Sequence, residues 1–108
     1  MKKAYICSPY RANTPAGVEK HKEYARQLLK WAVAHGYAPI CPHLYIPEVL
    51  NDENPEERET GLNIGLELLT ACEVIIVGTT YGISEGMFAE MKQADRLGLT
   101  FKEVYKIK

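Results

Sequence analysis

Short apolar runs alternate with amphipathic stretches along the whole chain. Ala4-Tyr5-Ile6-Cys7 is the first run, and it stops at Ser8-Pro9. Four residues are too few to fix a period, but the Ser-Pro break marks the end of a buried strand. Asn13, Thr14, Pro15 and Gly17 place a loop over residues 12–16. From Val18 the period changes. Val18, His21, Ala25, Leu28, Leu29 and Ala32 recur at three- and four-residue steps, while Glu19, Lys20, Glu23, Arg26 and Lys30 take the opposite side. That is an amphipathic helix. Gly36 suits the position just past its end, where a left-handed residue is needed.

Tyr37-Ala38-Pro39-Ile40-Cys41 reads as a second short strand. Pro39 has no amide to donate, so this strand belongs at a sheet edge. Residues 46–54 read as a loop with one helical turn. At Asn54-Pro55-Glu56-Glu57 a helix starts: Asn54 caps, Pro55 fits the first position, and two carboxylates meet the positive end of the dipole. It is expected to run to about Ala71. Gly61 and Gly65 inside it each cost about 1 kcal/mol against alanine, which points to close packing on another element or a ligand. Glu73-Val74-Ile75-Ile76-Val77 is the clearest strand, apolar enough for burial on both faces. A loop over residues 78–83 leads to a third helix over about 84–97, capped by Ser84, ended by Gly98, with Met87, Met91 and Ala94 on one face. A last strand lies within residues 99–107.

Strands alternating with helices imply a parallel α/β sheet of four to five strands, with right-handed crossovers and helices on both faces. A flavodoxin-like order 2-1-3-4 keeps the Pro39 strand outside and puts the switch point between the first and third strands. The length of 108 residues fits one domain. The formal net charge of −1, without a large basic block, argues against a nucleic-acid polymer as partner. No apolar stretch reaches the ~20 residues a membrane span needs, and the amino terminus lacks a signal-peptide pattern. Cys7, Cys41 and Cys72 show no ligand spacing, so buried reduced thiols in a cytoplasmic protein are expected, and no metal.

The expected topology brings two loops together at the carboxyl ends of neighbouring strands. Ser8-Pro9-Tyr10-Arg11 supplies a hydroxyl, an aromatic ring and a guanidinium. The other loop opens a helix at Ser84, and free helix amides there favour an anion such as phosphate. Gly86 lets a ligand approach the backbone. Glu90, four residues on, shares a helix face with Gly86. A carboxylate beside an anomeric carbon can act as a nucleophile and form a covalent sugar ester. Each residue also fits a plainer role: Glu90 as a solvated side chain, Ser84 as a cap, Arg11 as an ion-pair member, His43 as a loop histidine, Tyr10 and Tyr45 as covers of the sheet edge.

The segment Ser84-x-Gly86-x-x-x-Glu90, after an apolar strand, resembles the signature of nucleoside 2-deoxyribosyltransferases and deoxynucleoside 5′-monophosphate N-glycosidases. The opening Tyr5-Ile6-Cys7-Ser8-Pro9-Tyr10-Arg11 is similar to their first strand and loop. Short bacterial and phage proteins of the same fold are more similar still, through a Ser-Pro-Tyr-Arg start, a segment like Pro42 to Tyr45, and one like Ser84 to Met87. The resemblance implies that Glu90 is the nucleophile and that Ser84, Gly86 and the helix amides hold a 5′-hydroxyl or 5′-phosphate. It sets Ser8 and Arg11 on the opposite wall. Tyr10 and His43 are further candidate binding residues at the same rim. The resemblance implies a nucleoside or nucleotide substrate, no cofactor, and a homo-oligomer. One register departs: the enzymes commonly carry an Asp about eight residues before the acidic residue that opens the third strand, and here that position is Gly65. Asn63, His43 and Glu85 are candidates to replace it. Two other functions remain open: a non-catalytic nucleotide-binding or sensing module, and an interaction protein with a tyrosine-rich rim.

Overall fold

Val74–Gly78 (β3) lies buried along its full length, as its unbroken apolar run requires. In the computed structural model, which describes residues 1–107, it pairs with Lys3–Cys7 (β1) on one side and Thr100–Val104 (β4) on the other. Ala38–Ile40 (β2) pairs with β1 and forms the edge, where the missing amide of Pro39 costs nothing. All pairings are parallel and the order is β2-β1-β3-β4. The fold is α/β and flavodoxin-like, with four strands among the described residues.

Side-chain alternation along the strands separates two cores. Ala4, Ile6, Val74 and Ile76 pack under Tyr24, Ala25, Leu28 and Ala32 of Pro15–Ala34 (α1). Tyr5, Cys7, Ile75 and Val77 face the other way, toward Leu69 of Pro55–Leu69 (α2) and Met87 and Ala94 of Glu85–Leu97 (α3). This alternation aims the Tyr5 phenol at α2 and α3 rather than at α1.

The helix ends follow local chemistry. Thr14 accepts from the Gly17 amide at 3.0 Å, so α1 starts at Pro15, three residues before the apolar stripe begins. Its first turn is mostly exposed and therefore leaves no apolar signal. Gly36 takes φ +85° just past the end of α1. Asn54 accepts from the Glu56 and Glu57 amides and fixes the start of α2 as expected. That helix stops at Leu69 rather than Ala71, with the Thr70 hydroxyl donating to the Glu67 carbonyl at 2.6 Å. Between β2 and α2 the chain makes two 3₁₀ turns, Pro42–Leu44 and Ile46–Glu48, where one turn was expected. Ser84 caps α3 and Gly98 ends it at φ +76°. Among the described residues no helix is long and apolar enough to cross a membrane.

The loop after β3 is held from α1. The Tyr24 hydroxyl accepts from the Thr80 amide at 3.1 Å. A Cβ added at Gly78 would meet Leu28 at 2.5 Å and the Tyr24 hydroxyl oxygen at 2.6 Å. Both side chains are buried and have no free space to swing into. Gly78→Ala is therefore expected to destabilise the protein by about 1–3 kcal/mol, read as a lower urea midpoint.

Candidate functional site

The loops leaving β1, β2 and β3 meet at the carboxyl ends of the strands and, with α2, enclose a cleft of about 320 Å³. Ser8, Tyr10, Arg11, His43, Ser84, Gly86 and Glu90 all line it. The two rims expected to be neighbours are neighbours, because β1 and β3 pair directly.

Glu90 lies one turn beyond Gly86 on α3 and is only partly exposed. The phenol of Tyr5 donates a hydrogen bond to its Oε2. Tyr5 is 1% exposed, so this donor is fixed by the sheet. Burial pushes the Glu90 carboxyl up to about 7, while the Tyr5 phenol and the Cys7 thiol favour the carboxylate and hold it from rising further. Burial, then the nearby Glu90 charge, drive the Tyr5 phenol upward, so it stays protonated. The same causes keep the Cys7 thiol protonated. Cys7, Cys41 and Cys72 are all buried and unpaired.

Gly65 explains how the pair fits. A Cβ there would stand 3.0 Å from the Tyr5 hydroxyl oxygen and 3.6 Å from Glu90 Oε2. The glycine in α2 leaves the space that Tyr5 and Glu90 fill. Gly61 likewise lets Ile46 and Leu50 approach, at 3.5 and 3.7 Å from its would-be Cβ. Of the three side chains considered in place of an Asp at position 65, His43 and Glu85 line the cleft. Asn63 is exposed and lies outside the lining.

His43 follows β2 and tilts against Tyr10, ring centroids 5.4 Å apart. Its Nδ1 is buried without a partner. Burial pushes the imidazole down to about 4, so the ring is neutral at pH 7. Ser8 is 1% exposed and its Oγ is likewise unpartnered. Ser84 Oγ accepts from the Met87 amide at 3.2 Å, so its cap and its cleft position coexist. A Cβ at Gly86 would meet nothing within 4 Å, leaving the backbone open to the cleft. The Arg11 guanidinium is not free: its Nε lies 3.0 Å from Asp52 Oδ2.

Four polar cleft residues carry no site signal in the sequence. Tyr5 stands in a run otherwise apolar, where its hydroxyl is the one sign of a polar role. Asp52 and Arg58 come from a turn and a helix start, where they look like surface charge; in the fold Arg58 Nε lies 3.8 Å from Asp52 Oδ1. Glu57 lines the cleft and accepts from the Asn51 amide at 2.9 Å.

Residues 2–104 match a single family, from the residue before β1 to the last residue of β4. The chain belongs to the family described as Domain of unknown function (DUF7768). Every DUF7768 residue named above as lining the cleft falls inside that match. No match is found among the curated proteins. Among solved structures the chain is similar to the 2-desoxiribosyltransferase from Leishmania mexicana, with a TM-score of 0.59 and 21% identity. The alignment covers 95% of this chain and 63% of that one, so the chain spans less than two thirds of that protein's length. At this identity the likeness is one of fold.

Proposed function

We propose that the protein cleaves or transfers at the N-glycosidic bond of a (deoxy)nucleoside or its 5′-monophosphate, with Glu90 as the nucleophile. The observation that carries this reading is the Tyr5–Glu90 pair: a partly buried carboxylate held by a buried phenol in the wall of a cleft. Tyr5 engages Oε2 and fixes the carboxylate's orientation. Attack forms a bond from Glu90 to the anomeric carbon while the carbon–nitrogen bond breaks. The base leaves with the electron pair. A second base, or water, then opens the sugar ester. Ser8, Tyr10, Arg11, His43, Ser84 and Gly86 serve binding. The likeness in fold to a 2-desoxiribosyltransferase supports the reading.

Incubation with deoxynucleosides and their 5′-monophosphates tests it, with free base followed by chromatography. Base release that disappears in Glu90→Gln is expected. Release equal in parent and variant refutes the nucleophile. A second reading, a nucleotide-binding module without turnover, is favoured by Gly65 at the register where the resembling enzymes carry an Asp. Calorimetric binding of a nucleotide with no base released would select it. We also propose a homo-oligomer. Ile83 and Phe88, 52% and 57% exposed, flank the start of α3 and suit burial against a second copy; sedimentation at a single monomer mass would refute it.

A further inference from the structure

We propose that the cleft takes an uncharged (deoxy)nucleoside and turns away the matching 5′-monophosphate, and that Asp52 and Glu85 set this preference. The inference rests on the reading of Glu90 as the group that reacts at the anomeric carbon. The charge on the walls carries it. Asp52, Glu57, Glu85 and Glu90 line the cleft against two guanidiniums, Arg11 and Arg58. His43 adds no positive charge, because burial keeps its ring neutral at pH 7.

Both guanidiniums pair with one resident anion, Arg11 closely and Arg58 at longer range, the buried Arg58 Nε making no hydrogen bond. Asp52 offers Oδ2 to Arg11 at 3.0 Å and Oδ1 to Arg58 at 3.8 Å. A phosphate reaching for these arginines must displace that carboxylate or lie beside it. Glu57 is held in place through the Asn51 amide and cannot be counted on to leave. On the opposite wall the open amides of α3 would attract an anion. Glu85, the first residue of that helix, brings its own carboxylate to the same end of the dipole.

A 5′-monophosphate carries a charge of about −1.5 to −2 near pH 7. Placed among these carboxylates it is repelled, and it also disables the reacting group. Glu90 attacks only as the carboxylate. A second anion in so small a space favours its protonated form. A free 5′-hydroxyl has the opposite effect: it donates a hydrogen bond, and Glu85 is an acceptor on the wall where the sugar's 5′ end is placed.

The test compares each deoxynucleoside with its 5′-monophosphate, by base release with the parent protein and by calorimetric binding to Glu90→Gln, which does not turn over. Removing the Glu90 charge can only help the phosphate, so the variant is the stricter comparison. The nucleoside is expected to win by about tenfold or more in both, and the margin narrows as salt rises. Glu85→Gln and Asp52→Asn each shift the ratio toward the monophosphate by about tenfold. Should Asp52→Asn loosen the turn and fail to fold, Glu85→Gln, an exposed helix-end change, still decides. Nucleosides bound in preference but never cleaved would leave the binding preference set by the wall charges standing and remove the glycosidic reading. Monophosphates cleaved as well as nucleosides or better would do the reverse. A ratio unmoved in the folded variants removes the role of Asp52 and Glu85. No binding and no release with any compound overturns both readings.

Discussion

Glutamine in place of Glu90 is expected to lower base release by a factor of about a thousand or more and, at the same time, to stabilise the protein above pH 7. The first effect follows from losing the nucleophile. The second follows from its burial. The Glu90 carboxyl is pushed from an ordinary 4.5 up to about 7 in the folded protein. Between those values the folded protein holds a proton that the unfolded chain has already released. Stability contributed by this group is complete below pH 4.5 and is lost as pH rises through 7. Fully developed, the loss amounts to about 3 kcal/mol. Glutamine cannot ionise and escapes it. Urea midpoints of parent and variant should coincide near pH 4 and separate in favour of Glu90→Gln above pH 7. A variant that is less stable at pH 8 than the parent would contradict the burial argument.

His43 makes the comparison sharper. Burial lowers its imidazole from 6.5 to about 4, so the unfolded chain takes up a proton before the folded protein does. Its contribution is complete above pH 6.5 and is lost as pH falls through about 4. The two slopes have opposite sign over much of the same range, and in the parent they offset each other. Glu90→Gln removes one of them. Its stability should then rise steadily with pH up to about 6.5 and flatten beyond.

The alternation of apolar runs and amphipathic stretches carried the topology, because a buried parallel strand and a surface helix each leave a periodic trace. The caps carried the helix starts at Asn54 and Ser84 for the same reason: their chemistry is local. Position 65 shows where locality ends. Its sequence context says that something packs closely against α2. That the neighbour is the hydroxyl of Tyr5, sixty residues earlier, depends on the pleat of β1 and the pairing of β1 with β3. Asp52 is a similar case. Its partners arrive from different elements, Arg11 from the loop after β1 and Arg58 from the start of α2, and in sequence nothing ties either of them to Asp52. Side chains whose role is set by their own neighbours along the chain were legible. Those whose role is set by strand order were legible only as far as the strand order itself, which is why Ser8 and Glu90 could be paired in advance and Asp52 could not.

Tyr5→Phe is expected to move the pH dependence of base release rather than abolish activity. In the parent, kcat/KM should rise with pH through a midpoint near 7, as Glu90 becomes the carboxylate. The Tyr5 phenol donates to that carboxylate and favours it over the acid. Phenylalanine keeps the ring, which is the part that packs among Cys7, Ile75 and Met87, and removes the donor. The cost of ionising Glu90 then rises. A hydrogen bond to a charged group contributes about 1.5–3 kcal/mol, part of which the Cys7 thiol and entering water replace. A midpoint about one pH unit higher follows, with roughly a fivefold loss at pH 7 and recovery of most of the rate by pH 9. A purely structural role for the hydroxyl would lower the rate by the same factor at every pH. Gly65→Ala gives an independent check on the same contact. Its Cβ presses on the Tyr5 hydroxyl at 3.0 Å while the helix gains up to about 1 kcal/mol in propensity. That substitution should displace the midpoint upward even where α2 itself becomes no less stable, because what it disturbs is the bond between the phenol and the carboxylate.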